Sequence, residues 1–214
     1  MSASPGTTPA ALAICVFCAS ATGITVTHLD LAAEVGSELA RRGHVLISGG
    51  GSVSSMGAVA RAARDGGART IGVIPEALAG PEIADAESGE LLVTADMCTR
   101  KAEMMRRSDA FLTLAGGLGT LDELLEVWTT RALGLHSKPV VVLDPEGIFA
   151  PLREFSERLQ AQAFVRPGAL EVVTWATSPA GAFDMIEQGA AYASPRRVQE
   201  GARAPRMDST ISTA

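Results

Sequence analysis

Short apolar runs alternate with longer amphipathic stretches along most of the chain. The runs are "LAICVF" (12–17), "HVLISGGG" (44–51), "TIGVIP" (70–75), "LLVTAD" (91–96), "AFLTLAGG" (110–117), "PVVVLD" (139–144) and "LEVVTW" (170–175). Each is rich in β-formers and short enough for a strand. "PVVVLD" is almost uninterrupted Val and Leu, the mark of a strand covered on both faces. Between the runs the apolar period lengthens to that of a helix. In 28–43, Leu29, Ala32, Val35 and Leu39 share one side, and Gly43 is the expected stop. Further helices are predicted over 56–67, 97–108 (capped by Asp96), 120–134, 148–164 (Pro151 near its start) and 178–190.

Strands alternating with helices predict βαβ units with right-handed crossovers. The expected fold is α/β: one domain with a Rossmann-like, doubly wound parallel sheet and helices on both faces. Residues 11–189 form that domain. Residues 1–10 and 190–214, polar and Pro-containing with little apolar content, read as disordered tails. Such sheets bind ligands at the carboxyl ends of their strands. The loops carrying 18–23, 48–57, 75–90 and 115–120 all follow strands, so they are expected to converge on one crevice.

Composition narrows the partners. Net charge is −6 and aromatics are 4% of 214 residues, which excludes a phosphate-backbone footprint and stacking platforms for nucleic acid. A small phosphorylated ligand needs only a few donors. No apolar stretch is long enough to span a membrane. The N-terminus lacks the positive start of a signal peptide, and its apolar run reads as the first strand. Three cysteines are an odd, sparse set, consistent with a reducing cytoplasm. Cys15 and Cys18 form a C-x-x-C, but residues three apart on a strand point oppositely, so they read as core. His28, His44 and His136 have no metal-ligand spacing and read as surface or loop residues.

Three segments carry candidate chemistry. In "SGGGSVSSMG" (48–57), glycines bring backbone N–H groups close to a ligand and a helix start follows. As a dinucleotide fingerprint it is incomplete: Gly49 and Gly51 fit, but Ser54 stands at the third glycine position. "AGGLGT" (115–120) is not a P-loop, since no lysine precedes Thr120, yet its amides and hydroxyl suit an anion. Thr120-x-x-Glu123 is equally a capping box, with both side chains bonding backbone amides. Arg100 and Lys101 near the start of a helix are unfavourably placed in its dipole. They are either a solvated face or part of a ligand site.

Together, "SGGGSVSSMG", "GVIP" (72–75), "DMCTRK" (96–101) and "AGGLGTLDE" (115–123) stand in the order and spacing of the LOG family. The chain resembles that family from about residue 12 to 188. Its members are cytokinin riboside 5′-monophosphate phosphoribohydrolases, often labelled "lysine decarboxylase-like". The resemblance implies that Gly116, Gly117, Gly119 and Thr120 hold a 5′-phosphate and that Arg100 and Glu123 are the catalytic pair. It places Lys101, Glu82 and Thr129 in the nucleotide site, with Ser20 and the loop of Gly49, Gly50 and Gly51 lining the same crevice. It also implies a homodimer in which each subunit completes its partner's site. Two departures stand out: Ala115 replaces the family's proline, and Ser54 and Ser55 occupy positions where Gly and Leu are common.

The expected activity is hydrolysis of the N-glycosidic bond of a purine nucleoside 5′-monophosphate, to free base and ribose 5-phosphate. Glu123 would stabilise the cationic ribose and activate water. No metal or redox cofactor is required. The alternatives are a non-catalytic nucleotide or molybdopterin-type carrier and, from the incomplete fingerprint, a dinucleotide-dependent oxidoreductase.

Overall fold

A computed structural model of the chain describes residues 11–80 and 84–193. Seven strands form one sheet: β1 (Ala13–Phe17), β2 (Val45–Ser48), β3 (Thr70–Pro75), β4 (Glu90–Thr94), β5 (Ala110–Thr113), β6 (Val140–Leu143) and β7 (Val173–Ala176). All pairings are parallel, in the order β4-β3-β2-β1-β5-β6-β7. Six helices make the crossovers: α1 (Val26–Arg41), α2 (Ser54–Asp65), α3 (Met97–Arg107), α4 (Leu118–Ala132), α5 (Ala150–Ala161) and α6 (Pro179–Ala193).

Two apolar layers sandwich the sheet. Ile14, Val16 and Cys18 face α1, α2 and α6, where they pack with Val35, Leu39, Val59 and Phe183. Cys15 and Phe17 face the other way, with Met104 of α3 and Leu124, Val127 and Trp128 of α4. The C-x-x-C pair is therefore split between the two cores, both thiols unbridged and buried, as strand alternation predicts. Within this frame every predicted strand and helix is present.

Element boundaries moved where local chemistry won. Strand β7 starts at Val173, three residues later than the apolar run, because Leu170 to Val172 turn first. Helix α6 continues to Ala193, past the predicted domain end at 189, since "AAYA" is a strong helix-forming stretch. The tail assigned to 1–10 and, of the tail assigned to 190–214, residues 194–214 lie outside the described residues. One histidine reading is corrected. His44 is buried at 2% exposure, its Nδ1 accepting from Leu12 N at 3.3 Å and its Nε2 3.1 Å from Glu187. It closes the turn from α1 into β2, a tertiary role that its spacing does not disclose. His136 is half-buried, and burial pushes its pKa down.

Strand order reverses beside β1: β2 lies on one side and β5 on the other. Chains leaving β1 and β5 diverge at their carboxyl ends, which opens the crevice where such sheets bind ligands.

Candidate functional site

Four segments meet beyond the carboxyl ends of the strands: the loop after β1, the glycine loop after β2, the start of α3 and the start of α4. Asp96 caps α3 by accepting from Thr99 N at 2.7 Å, as its position before an amphipathic run predicts. That fixes the first turn, and Arg100 in the next position turns inward. Its side chain is buried at 6% exposure. Arg100 Nε donates to the Val73 carbonyl at 3.0 Å, and Nη1 donates to Glu123 Oε1 at 2.8 Å. The unfavourable dipole placement of a cation here is offset by that carbonyl and carboxylate.

Glu123 comes from α4, and the helix does not start where a capping box requires. Its N-cap is Gly117, with no side-chain cap bond, so Thr120 is already the third helical residue. The Thr120 hydroxyl instead donates to the Cys18 carbonyl at 3.1 Å. Glu123 is 8% exposed and binds Arg100. The capping-box alternative is thereby removed: neither side chain serves the helix amides.

Burial pushes the Glu123 carboxyl above the ordinary carboxylate range, and the Arg100 charge opposes that rise without cancelling it. A buried ion pair of this kind contributes little net stability, because desolvation offsets the attraction. Breaking it by removing one partner costs about 3–5 kcal/mol. A buried carboxylate held with a raised pKa beside a fixed guanidinium is the arrangement acid–base chemistry uses.

The two glycine segments have different roles in the free chain. Gly49, Gly50 and Gly51 are buried. A Cβ on Gly49 would overlap Arg100 Nη2 and press on the Met56 side chain. Gly49 thus leaves the slot that the guanidinium occupies. Gly50 adopts a positive φ of 74° and packs on β3, 3.0 Å from Ile74 Cβ were it to carry a Cβ itself. Gly51 bridges Ala84, and Gly50 O accepts from Asp85 N at 2.8 Å, which anchors the 84–88 loop. By contrast, Gly116, Gly117 and Gly119 are exposed at the uncapped start of α4. Nothing lies within contact distance of a Cβ at Gly117 or Gly119, while one at Gly116 would overlap the Thr120 hydroxyl. The exposed amides there suit an anion.

Other predicted residues fall as follows. Ser20 is exposed in the loop after β1, two residues beyond the Cys18 carbonyl that Thr120 holds. Lys101 lies beside Glu123, but its ammonium binds Asp122 and Glu126, each at 2.8 Å. Those hydrogen bonds raise its pKa. Glu82 lies outside the described residues. Thr129 is not brought to this crevice: it is exposed on α4, eleven residues beyond Leu118, or roughly 16 Å along the axis. A groove of about 640 Å³ between α1 and the start of α6 is lined by none of these residues.

Sequence reading missed the main-chain partners. The Val73 and Cys18 carbonyls that position Arg100 and Thr120 carry no residue-type signal. Asp122 and Glu126 did leave one: acidic residues at i and i+4, flanking Glu123 in sequence, are the helical spacing that clamps a lysine from a neighbouring helix. Among the described residues no three His, Cys, Asp or Glu side chains gather to hold a metal ion, and no helix is long and apolar enough to cross a membrane.

Comparison with known proteins places this geometry. A family model described as possible lysine decarboxylase matches residues 56–186. The chain is 50% identical over 161 residues to the cytokinin riboside 5′-monophosphate phosphoribohydrolase of Mycobacterium tuberculosis, covering 74% of this chain and 84% of that one. It is 46% identical over 165 residues to a protein of that name from Arabidopsis thaliana, covering 77% and 78%. Among solved structures, the molybdenum cofactor carrier protein of Chlamydomonas reinhardtii superposes with a TM-score of 0.63 at 27% identity, covering 85% of this chain and 99% of that one.

Proposed function

The chain belongs to the family described as possible lysine decarboxylase, many of whose curated relatives are phosphoribohydrolases, and from that premise we propose that it hydrolyses a purine nucleoside 5′-monophosphate to free base and ribose 5-phosphate. The observation that carries this reading is the buried Arg100–Glu123 contact beside an exposed glycine-rich helix start.

The chemistry follows from the geometry. The 5′-phosphate sits on the amides of Gly116, Gly117 and Gly119, and this remote binding energy holds the ribose against Glu123. The bond between C1′ and the base nitrogen breaks with its electron pair leaving on the base. Positive charge develops on the ribose, and the Glu123 carboxylate stabilises it. Water adds to C1′ and gives its proton to Glu123, whose raised pKa makes it a better proton acceptor than an ordinary glutamate. Glu123 passes that proton, through water, to the nitrogen of the departing base and returns to its ionised form, with Arg100 holding Glu123 in place throughout. No metal or redox group enters this scheme.

The decarboxylase label fits these residues poorly. Imine chemistry with pyridoxal phosphate needs an unprotonated lysine amine. Of the chain's two lysines, Lys101 is held protonated by Asp122 and Glu126, and Lys138 precedes β6, at the amino-terminal end of the strands, opposite the glycine loops.

The proposal extends to a homodimer with composite sites. Leu118, Asp122, Leu125 and Thr129 fall on one exposed stripe of α4, with Leu118 at 86% and Leu125 at 45% exposure. Thr129 is too far from its own glycine loop to serve it, so a second copy would have to bring it to the site. A cytoplasmic location is supported by three unbridged cysteines, and a small-molecule rather than nucleic-acid partner by the net charge of −6.

The test is incubation with AMP, isopentenyl-AMP and adenosine, followed by chromatography. Release of base from the monophosphates and not from adenosine is expected. AMP cleaved no faster than adenosine sinks the phosphate seat. The fold shared with a cofactor carrier keeps a second reading in view. Recovery of bound but intact nucleotide would favour it.

A further inference from the structure

Ser54 opens α2 with a φ of 58°. That is the left-handed region, which a residue with a Cβ enters only at a cost. Glycine would take it freely. Ala163, just past the end of α5, is the other non-glycine residue in this state among the described residues. A strained serine at the rim of a ligand crevice calls for a compensating contact, and there is one. Ser54 Oγ donates to the Ala21 carbonyl at 2.7 Å.

Ala21 lies in the loop between β1 and α1. That loop is tied to the site at successive carbonyls. Cys18 O accepts from the Thr120 hydroxyl at 3.1 Å, and Ala19 O accepts from Met56 N at 3.2 Å. Ala21 O is held by Ser54. Ser20 is thus bracketed by an anchored residue on each side. Beyond Ala21, Thr22 and Gly23 are exposed, and Gly23 has nothing within contact distance of a would-be Cβ. Without the Ser54 bond the loop would be anchored only up to Ala19, and Ser20 would begin its free stretch.

We infer that Ser54 is a positioning residue of the nucleotide site, whose hydroxyl pins the β1–α1 loop so that Ser20 meets the ligand in a fixed place. The ligand's class rests on the phosphoribohydrolase reading. The tether itself does not.

Two variants separate the tether from the backbone strain. Ser54→Gly removes the hydroxyl and relieves the left-handed φ, while Ser54→Ala removes the hydroxyl and keeps the strain. In both, amide hydrogen exchange over residues 19–23 is expected to quicken about 3- to 10-fold, the range that one neutral hydrogen bond covers. The dissociation constant for AMP by calorimetry, and KM in turnover, are expected to rise by a similar factor with kcat within about twofold. Ser54→Gly should melt no lower than the wild type, which removes misfolding as the cause. Ser20→Ala should weaken AMP binding in the wild type and add little in Ser54→Gly, because the two act as one unit. Unchanged exchange over 19–23 in both variants overturns the tether. Faster exchange with unchanged AMP affinity overturns the positioning role. If the wild type neither binds nor cleaves AMP, the functional reading fails, and the exchange measurement still decides the tether.

Discussion

The Arg100 guanidinium and the Glu123 carboxylate, 23 residues apart in sequence, meet at 2.8 Å with almost no exposure to solvent. The pair is neutral as a whole, and each member depends on the other to stay charged in a buried place. Glu123→Gln keeps the shape and an acceptor for Arg100 but removes the charge. Turnover is expected to fall about 100-fold or more, while AMP affinity, which rests on the glycine loop, stays within a few-fold. Parallel loss of both quantities would mean that Glu123 supports binding rather than the chemical step.

The raised carboxyl pKa sets a pH dependence. If catalysis needs ionised Glu123, activity falls as pH drops through a value above the ordinary glutamate pKa. Arg100 holds that value down, so Arg100→Gln should move the acid limb to higher pH as well as lowering the rate. For stability the sign runs the other way. A carboxyl with a raised folded-state pKa favours folding below its unfolded pKa and loses that contribution as pH rises through the folded value. The melting temperature of Glu123→Gln, minus that of the wild type, should therefore become more positive from about pH 4 upward. A flat difference across that range would mean the carboxyl titrates normally.

Gly49 makes room for Arg100. Gly49→Ala places a methyl group on Nη2, so the guanidinium must shift. A displacement of about 1 Å at a reacting centre costs up to about 100-fold. The expected result is a fall in kcat with a smaller change in KM, opposite to the pattern predicted for Ser54 variants. Wild-type kcat in Gly49→Ala would show that the guanidinium has slack.

The exposed α4 stripe predicts assembly. Leu125→Glu, at a position 45% exposed in the single chain, should leave the fold intact and shift the protein from dimer to monomer in light scattering. Activity should fall with dissociation, because Thr129 would then serve no site. A monomeric wild type with full activity would end the composite-site proposal.

Lys101 joins α3 to α4 through Asp122 and Glu126, which are partly or largely exposed. Solvent limits the contribution of such pairs to about 1 kcal/mol or less. Lys101→Met should thus lower the melting temperature by only a few degrees. A larger rise in KM than this loss of stability explains would mark Lys101 as a ligand contact too.

How much of this was legible beforehand follows from the kind of interaction involved. Strand and helix order came through because apolar periodicity is local, and the Asp96 cap and Pro151 near the start of α5 are local too. The glycine segments announced that backbone must approach something closely, but not what. Only the tertiary structure assigned Gly49 to a guanidinium and left Gly117 and Gly119 open. Glu123 carried two compatible local patterns, and its role turned on where α4 begins. With Gly117 as N-cap, Thr120 sits inside the helix and Glu123 is free to meet Arg100. The burial of His44 and the Ser54 tether rest on contacts between distant segments. Residue identity and spacing determined the sheet, the candidate residues and the likeness to a family. Which main-chain carbonyls hold those residues, and which carboxylate loses its solvent, depends on segments far apart in sequence, and the packed fold decided it.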